Sequence, residues 1–540
     1  MGADDEIVEA DAGRVHCRAM SAGGQSESDP VHYPLSIFNC KWMKLMRKAF
    51  IIALSAAMVC AMVLLAVACN SRTPISTLLK IDDGYISGTV NSDKPVRIFR
   101  GIPYAAPPEG DLRWKPPQPI APWSGIRECT VFCATPSQDI ANPVEGSQAP
   151  VGEDCLYLNV QTPAESASDK LPVMVWFHGG CFHMGSGNTL DSNSPALPEH
   201  GIVLVSVTHR LGVMGLMAAS ELSGESPHSA SGNYMALDLI ASLKWIQRNI
   251  AAFGGDPDNI TIAGFSGGGG KVIGMLASPL AEGLFHKAII ESGSLYMLFP
   301  GVPLADQEAV GAKLFAKLGV ATLAEARALD WKTVEKANSE LGTELNAFTP
   351  AGPVWNYTVD GYVFPESHDK IIKKSNHNAV PLLAVANYGE IFNAGPSMGR
   401  QIPAYMDIFN GNIKKGVVGY ACVFGLVPAG WRKLGGVTGH GNELPYVFGF
   451  IDLPWAWGEM RIGSAFGQKR PEGLTADAGV TDEDIQDANK VMAIWAQFMK
   501  TGNPSVKDLI EWPAWDASGN KYGDIGYPFQ VKSGYSLLGQ

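Results

Sequence analysis

Thr261-Ile262-Ala263-Gly264-Phe265-Ser266-Gly267-Gly268-Gly269-Gly270 decides the reading of this chain. The apolar run Asn259 to Ala263 predicts a short buried strand, and Gly269 to Ser278 predicts a helix. Between them a serine stands at the apex of Gly-Phe-Ser-Gly-Gly. Strand, sharp turn and helix with an apical serine make the nucleophile elbow of α/β-hydrolases. Side chains at Gly264 and Gly268 are expected to collide with the neighbouring strand and helix. The helix N-terminus behind Ser266 favours negative charge developing in front of it. A chain with 60 glycines in 540 residues also makes plain glycine-rich turns, so the pentad must be judged by what else the chain supplies.

Working outward, the bulk properties exclude several classes. A hydrophobic fraction of 46% with 17% charged residues describes a globular chain with a large core, not a disordered one. A net charge of −12, with no basic run after the N-terminal segment, argues against a nucleic-acid partner. No internal repeat is present.

Residues 1–42 are polar and irregular and receive no fold. Lys44-Leu45-Met46-Arg47-Lys48 then precedes an apolar run from Ala49 to Ala68. A positive segment before an apolar one is the pattern of an export signal, here spanning 43–69. The run ends Ala66-Val67-Ala68-Cys69, which reads as a cleavage site with a lipoprotein cysteine at Cys69. The alternative is a single-span membrane tether. Met43 or Met46 is the more natural start, which makes the first 42 residues an over-extended frame. The expected location is therefore periplasmic, secreted or membrane-tethered, an oxidising setting. Beyond Cys69 remain Cys129, Cys133, Cys155, Cys181 and Cys422. Five is odd, so one stays free unless chains bridge; Cys133–Cys155 is the candidate pair.

Residues 75–540 read as one catalytic domain. From Asp82 to Ser124 short β-like runs alternate with Pro-rich turns, an N-terminal antiparallel meander. Buried-type strands then alternate with helices: Leu171 to Phe177, Ile202 to Val207, a helix from Tyr234 to Ile250, the Ser266 strand, Lys287 to Glu291, and Pro381 to Ala386. That alternation predicts an α/β fold with a mostly parallel sheet covered on both faces.

A serine nucleophile needs a base, an acid to orient the base, and donors for the oxyanion. His178-Gly179-Gly180-Cys181-Phe182-His183 follows the Leu171–Phe177 strand directly. Its glycines let backbone N–H groups approach a carbonyl oxygen. The expected oxyanion turn is Gly179, Gly180 and Cys181, with the N–H groups of Gly180, Cys181 and Gly267 as donors. A metal site from His178, Cys181 and His183 is the competing reading, but no further clustered ligand completes it. The base is His440, on a glycine-flanked loop. The acid is Glu390, just after the Pro381–Ala386 strand, where α/β sheets hold ligands. Asp360 and Glu366 are alternative acids; His209 and His286 read as structural. The order Ser266, Glu390, His440 is that of the hydrolases.

With these residues in place, the chain resembles the type-B carboxylesterase family, which includes cholinesterases, bile-salt-activated lipase and para-nitrobenzyl esterases. The likeness runs from about Asp82 to Tyr527. It is carried by Phe99-Arg-Gly-Ile-Pro-Tyr-Ala105, Glu153-Asp-Cys-Leu-Tyr-Leu-Asn-Val160, the His178 turn, Arg210-Leu-Gly212, Phe253 to Thr261, the Ser266 elbow, Glu291-Ser-Gly-Ser294, Glu443 to Gly449 and Trp495 to Pro504. The resemblance implies an α/β-hydrolase, a Ser266–Glu390–His440 triad, and ester hydrolysis through an acyl-enzyme with no cofactor and no metal. The partner it implies is a small-molecule ester.

The departures carry information. Phe265 and Gly267 flank the serine where the family has Glu and Ala, Cys181 stands in the oxyanion turn, and Ile391 follows Glu390. The cysteine that pairs with Cys155 in the family is displaced to Cys133. Only 50 residues separate Glu390 from His440, which implies a more open acyl or alcohol pocket. These features resemble the fumonisin esterase branch, whose members remove tricarballylic acid from a long amino-polyol. Arg432 and Lys433 are then the expected cations for its carboxylates. From another class, a non-catalytic adhesion module is disfavoured by the three intact catalytic residues.

Overall fold

The computed structural model describes residues 42, 45–55, 58, 75–138, 149–189, 193–293, 301–345, 354–392, 401–453, 455–458 and 470–538. The chain divides into Met1–Ser71 and Arg72–Gln540. Of the first unit, the described stretch 45–55 is helical and exposed. No described helix is long and apolar enough to cross a membrane. Cys69 and most of the expected export signal lie outside the described residues.

In the second unit eleven strands of the described residues form one sheet. In chain order they are β1 (Thr89–Val90), β2 (Arg97–Pro103), β3 (Tyr157–Thr162), β4 (Leu171–Phe177), β5 (Val203–Val207), β6 (Gly255–Phe265), β7 (Lys287–Glu291), β8 (Leu382–Asn387), β9 (Gly419–Phe424), β10 (Lys521–Ile525) and β11 (Gln530–Ser533). In space the order is β11-β10-β9-β8-β7-β6-β4-β5-β3-β2-β1. The strands from β5 through β10 pair in parallel. β3 pairs antiparallel with β5 and β2, and β1 and β11 are antiparallel edges.

The sequence of β4 explains its place. Leu-Pro-Val-Met-Val-Trp-Phe has no polar residue, as expected of a parallel strand buried on both faces. Its side chains alternate between two cores: Val173, Val175 and Phe177 enter one, Met174 and Trp176 the other. The first core is covered by α1 (Tyr234–Asn249) and α2 (Gly267–Ala277), through Leu239, Leu243, Val272 and Met275. The helices α3 (Tyr388–Phe392) and α4 (Gln401–Lys414) follow β8. The second core is closed by α5 (Asp482–Thr501), through Val491, Trp495 and Phe498. Thr481 and Asp484 box the start of α5, and Gly502, at φ 77°, ends it.

Two expectations are corrected here. The N-terminal meander is split: β1 and β2 join the main sheet. Leu78–Ile81, Gly84–Ser87 and Ile126–Glu128 form a separate three-stranded sheet, with the last two strands parallel. The Cys133–Cys155 disulfide is not formed, and the five cysteines of the described domain are free. Cys133 Sγ faces the Gly101 carbonyl at 3.6 Å, while Cys155 is enclosed in the core. Burial pushes the Cys133 thiol up to about 11 and raises the Cys155 thiol well above its ordinary value.

Candidate active site

Parallel strands place their C-terminal ends on one edge, and segments following four of those strands build the site. Ser266 stands between β6 and α2 with φ 56° and ψ −120°, a backbone conformation that holds its side chain up at the apex. Its N–H donates to the Glu291 carbonyl at the end of β7, 2.9 Å away. The turn is too tight for side chains. A Cβ on Gly268 would lie 1.9 Å from the Phe177 carbonyl oxygen, and one on Gly264 would lie 2.5 Å from the Gly268 carbonyl group. The helix therefore begins immediately after Ser266, two residues earlier than the sequence predicts.

Glu390 sits in α3, directly after β8, and is 1% exposed. His440 follows β9 on a loop anchored at both ends of its approach. Thr438 Oγ1 donates to the Phe424 carbonyl at 2.9 Å, and the Gly389 N–H donates to the Thr438 carbonyl at 2.9 Å. The three side chains form one hydrogen-bonded line. Ser266 Oγ lies 2.8 Å from His440 Nε2, and His440 Nδ1 is bonded to Glu390 Oε1. Glu390 Oε2 accepts from Ser292 Oγ at 2.7 Å, from the Asn387 N–H at 3.1 Å and from Gln401 Nε2 at 3.3 Å. Burial acts to raise the Glu390 pKa, but His440 and the donors from Ser292 and Asn387 outweigh it and hold the carboxyl below its ordinary range. An ionised Glu390 accepts a hydrogen bond from Nδ1–H, which keeps the proton on Nδ1 and leaves Nε2 as the acceptor for the serine hydroxyl.

The oxyanion turn lies against the elbow. Gly180 and Cys181 have φ 96° and 51°, and a Cβ on Gly267 would lie 2.7 Å from the Cys181 nitrogen. Among the described residues the N–H groups of Gly180, Cys181 and Gly267 have no acceptor, so three donors converge beside Ser266 unspent. The Gly179 carbonyl is bonded to His178 Nδ1 at 2.9 Å. The turn is held from below by Lys271 of α2. This lysine is fully buried and donates to the His178 carbonyl at 2.8 Å; burial drives its pKa well down. His178 stacks on His209, ring centroids 4.7 Å apart.

The alternative acids are occupied elsewhere. Asp360 Oδ1 accepts three backbone N–H groups of its own turn, and Glu366 pairs with Lys374. His286 Nδ1 accepts from the Ile260 N–H at 3.0 Å, a structural role. Arg432 lies over the Tyr527 ring at 3.7 Å, and Lys433 is exposed. Neither is hydrogen-bonded to Ser266, Glu390 or His440.

Sequence reasoning missed two further carboxyls. Glu443 is completely buried and accepts from Asn387 Nδ2 at 2.6 Å, while its other oxygen has no partner among the described residues. Glu291, also buried, accepts from Trp495 Nε1 at 2.7 Å. Burial first, then the charges of Glu291 and Glu390, push Glu443 up to about 8. Burial pushes Glu291 up to about 7 against the Trp495 hydrogen bond. Of these three buried carboxyls, only Glu390 is shifted below its ordinary range; Glu291 and Glu443 are shifted above theirs. The available signal for Glu443 is an acid three residues after His440, immediately before the apolar run Leu444 to Phe450.

A mixed sheet of this order, with a strained serine between strand and helix, defines an α/β-hydrolase. The comparisons agree. The model of the carboxylesterase family matches residues 75–407. The fumonisin B1 esterase of Sphingopyxis macrogoltabida is 32% identical over 84% of this chain and 87% of its own. Carboxylesterase 1F of Mus musculus is 30% identical over 78% of this chain and 85% of its own. Among solved structures, a thermophilic PNB esterase superposes with a TM-score of 0.68 at 26% identity, covering 84% of this chain and 97% of that one. The carboxylesterase EST55 of Geobacillus stearothermophilus gives 0.68 at 26%, covering 85% and 98%. The chain belongs to the carboxylesterase family and is a carboxylic ester hydrolase.

Proposed function

We propose that Ser266, His440 and Glu390 are the nucleophile, base and orienting acid of a serine esterase whose substrate is a tricarballylic ester of the fumonisin type. The observation that carries the catalytic part is the continuous line Ser266 Oγ–His440 Nε2 and His440 Nδ1–Glu390 Oε1. Ser266 Oγ attacks the ester carbonyl as its proton passes to Nε2. The imidazolium is stabilised by Glu390. The negative oxygen of the tetrahedral intermediate takes the N–H groups of Gly180, Cys181 and Gly267. His440 then protonates the departing alcohol. In the second half it takes a proton from water, which attacks the acyl carbon and releases the acid and Ser266.

The substrate part is supported by the 32% identity to a fumonisin B1 esterase over most of both chains and by the short segment between Glu390 and His440. The test compares kcat/KM for a tricarballylic ester with that for a short neutral acyl ester, in the wild type and in Ser266→Ala. The expected result is a strong preference for the tricarballylate, with both activities falling by roughly 10⁴-fold or more in the variant. A preference for the neutral ester would retain the serine mechanism and reject the substrate. Activity surviving in Ser266→Ala would reject the mechanism.

A further inference from the structure

A cavity of about 650 Å³ opens where the turn after Arg113, the stretch Leu222 to Asn233, the first turns of α1 and the Asp360 turn meet. None of Ser266, Glu390, His440, Gly180 and Cys181 lines it. Its volume falls in the range of small-molecule sites, about 300–1,000 Å³. The walls are apolar, from Trp114, Leu222, Tyr234, Leu237 and Val363. His228 lies flat on Tyr362, centroids 3.6 Å apart and planes 10° from parallel, which adds an aromatic face to the lining.

The polar groups narrow the ligand by elimination. Both lining carboxylates are already engaged. Glu225 forks with Arg327 through bonds of 2.8 and 2.9 Å. Asp360 takes the N–H groups of Tyr362, Val363 and Phe364 on one oxygen and Asn233 Nδ2, at 2.9 Å, on the other. Lys115 is different. Its backbone is held, because its N–H donates to the Leu112 carbonyl at 3.1 Å and its carbonyl accepts from buried Arg210 Nη1 at 2.7 Å. Its ammonium makes no hydrogen bond or ion pair among the described residues, though its charge reaches Glu225 and adds to the pull of Arg327 in lowering that carboxyl's pKa. A cation on a fixed backbone, with no hydrogen-bond partner of its own, beside an apolar, partly aromatic cavity selects an anion carrying a flat apolar body.

We infer that this cavity is a second binding site, separate from the ester-hydrolysing one, for an aryl carboxylate whose carboxylate pairs with Lys115. The inference does not rest on the roles of the triad residues, and its test is binding rather than turnover. Titration calorimetry of the full chain with 2-naphthoate, and with 2-naphthalenemethanol as the uncharged control, reads it. The expected result is saturable 2-naphthoate binding that Lys115→Gln weakens about tenfold, while the alcohol changes by less than about twofold. Ala230→Trp, which fills the cavity, abolishes binding of both. Should that variant not fold, Lys115→Gln decides alone, since Lys115 is only partly buried. Four results would overturn the inference. They are affinity unchanged by Lys115→Gln, no binding tighter than about 1 mM, tighter binding of decanoate than of 2-naphthoate, and competitive inhibition of ester hydrolysis with a constant equal to the dissociation constant. The last would place the acid at Ser266.

Discussion

Phe265 occupies the position where the family carries a buried glutamate, and its ring now lies against His440 with centroids 4.5 Å apart at 45°. It also closes on Gly441, where a Cβ would meet the ring at 3.0 Å. The phenyl group is thus a wall for the imidazole. A contact of this kind is worth about 1 kcal/mol, so Phe265→Leu should lower kcat about fivefold with KM little changed, measured by steady-state kinetics. A loss confined to KM would show that the ring serves substrate instead. Glu443 makes a second prediction at this scale. An unfolded glutamate releases its proton near pH 4.3, whereas the folded chain holds it to about 8. Across that window the folded state binds more protons, so this group lowers stability as pH rises, and the loss stays constant above the window. Glu443→Gln keeps the acceptor for Asn387 and removes the titration. Its Tm relative to wild type should therefore climb by about 3 °C from pH 5 to 9. A difference that does not move with pH would mean that Glu443 ionises in the fold as it does in water.

The elbow is the element on which the site depends, and its four consecutive glycines are poor helix formers. α2 forms because those glycines let it approach β4 and β7 to backbone contact. Gly268 meets Phe177, and Gly269 meets Gly293 at 2.7 Å from where a Cβ would be. Gly268→Ala should cost about 3 kcal/mol in denaturant unfolding and abolish activity, because the obstacle is backbone that cannot rotate away. Gly224→Ala is the control. That glycine also sits in a short helix, but nothing lies within 4 Å of its Cβ position, so stability should hold or rise slightly. Equal losses in the two variants would assign the effect to helix propensity rather than to close approach.

At the scale of the molecule, a buried ion pair ties the sheet to its covering layer. Arg210, after β5, donates Nε and Nη2 to Asp238 of α1 at 2.9 and 2.6 Å, and Nη1 to the Lys115 carbonyl. Arg113 forks to Glu153 in the same way, at 2.6 Å for both bonds. Two of the sequence stretches that carry the family resemblance are therefore joints of the fold. Asp238→Asn strands a buried guanidinium and should lose about 3–5 kcal/mol, read as a lower denaturant midpoint. Arg210→Met with Asp238→Leu should recover most of it, because burying a matched apolar pair avoids the desolvation of both charges. A double variant as unstable as the single one would mean that the bond from Arg210 to the Lys115 carbonyl carries the effect.

The sequence by itself determined five of the parallel strands, β4 to β8, and the members of the hydrogen-bonded line. Strands such as Leu171–Phe177 and Lys287–Glu291 are short apolar runs bounded by turns, and a run buried on both faces announces itself locally. Ser266 and Glu390 each sit just beyond such a strand, and His440 stands on a glycine-flanked loop, where polar residues in tight turns stand out. Only the tertiary structure decided what depends on distant partners. β9, β10 and β11 were not predicted; Lys521-Tyr-Gly-Asp-Ile reads as a strand only once it lies beside β9. Cys133 and Cys155 are in a suggestive order along the chain, yet one thiol faces a carbonyl and the other the core. The carboxyls of Glu291 and Glu443 are pushed toward the protonated form because burial removes their water, and burial is a property of packing rather than of residue order.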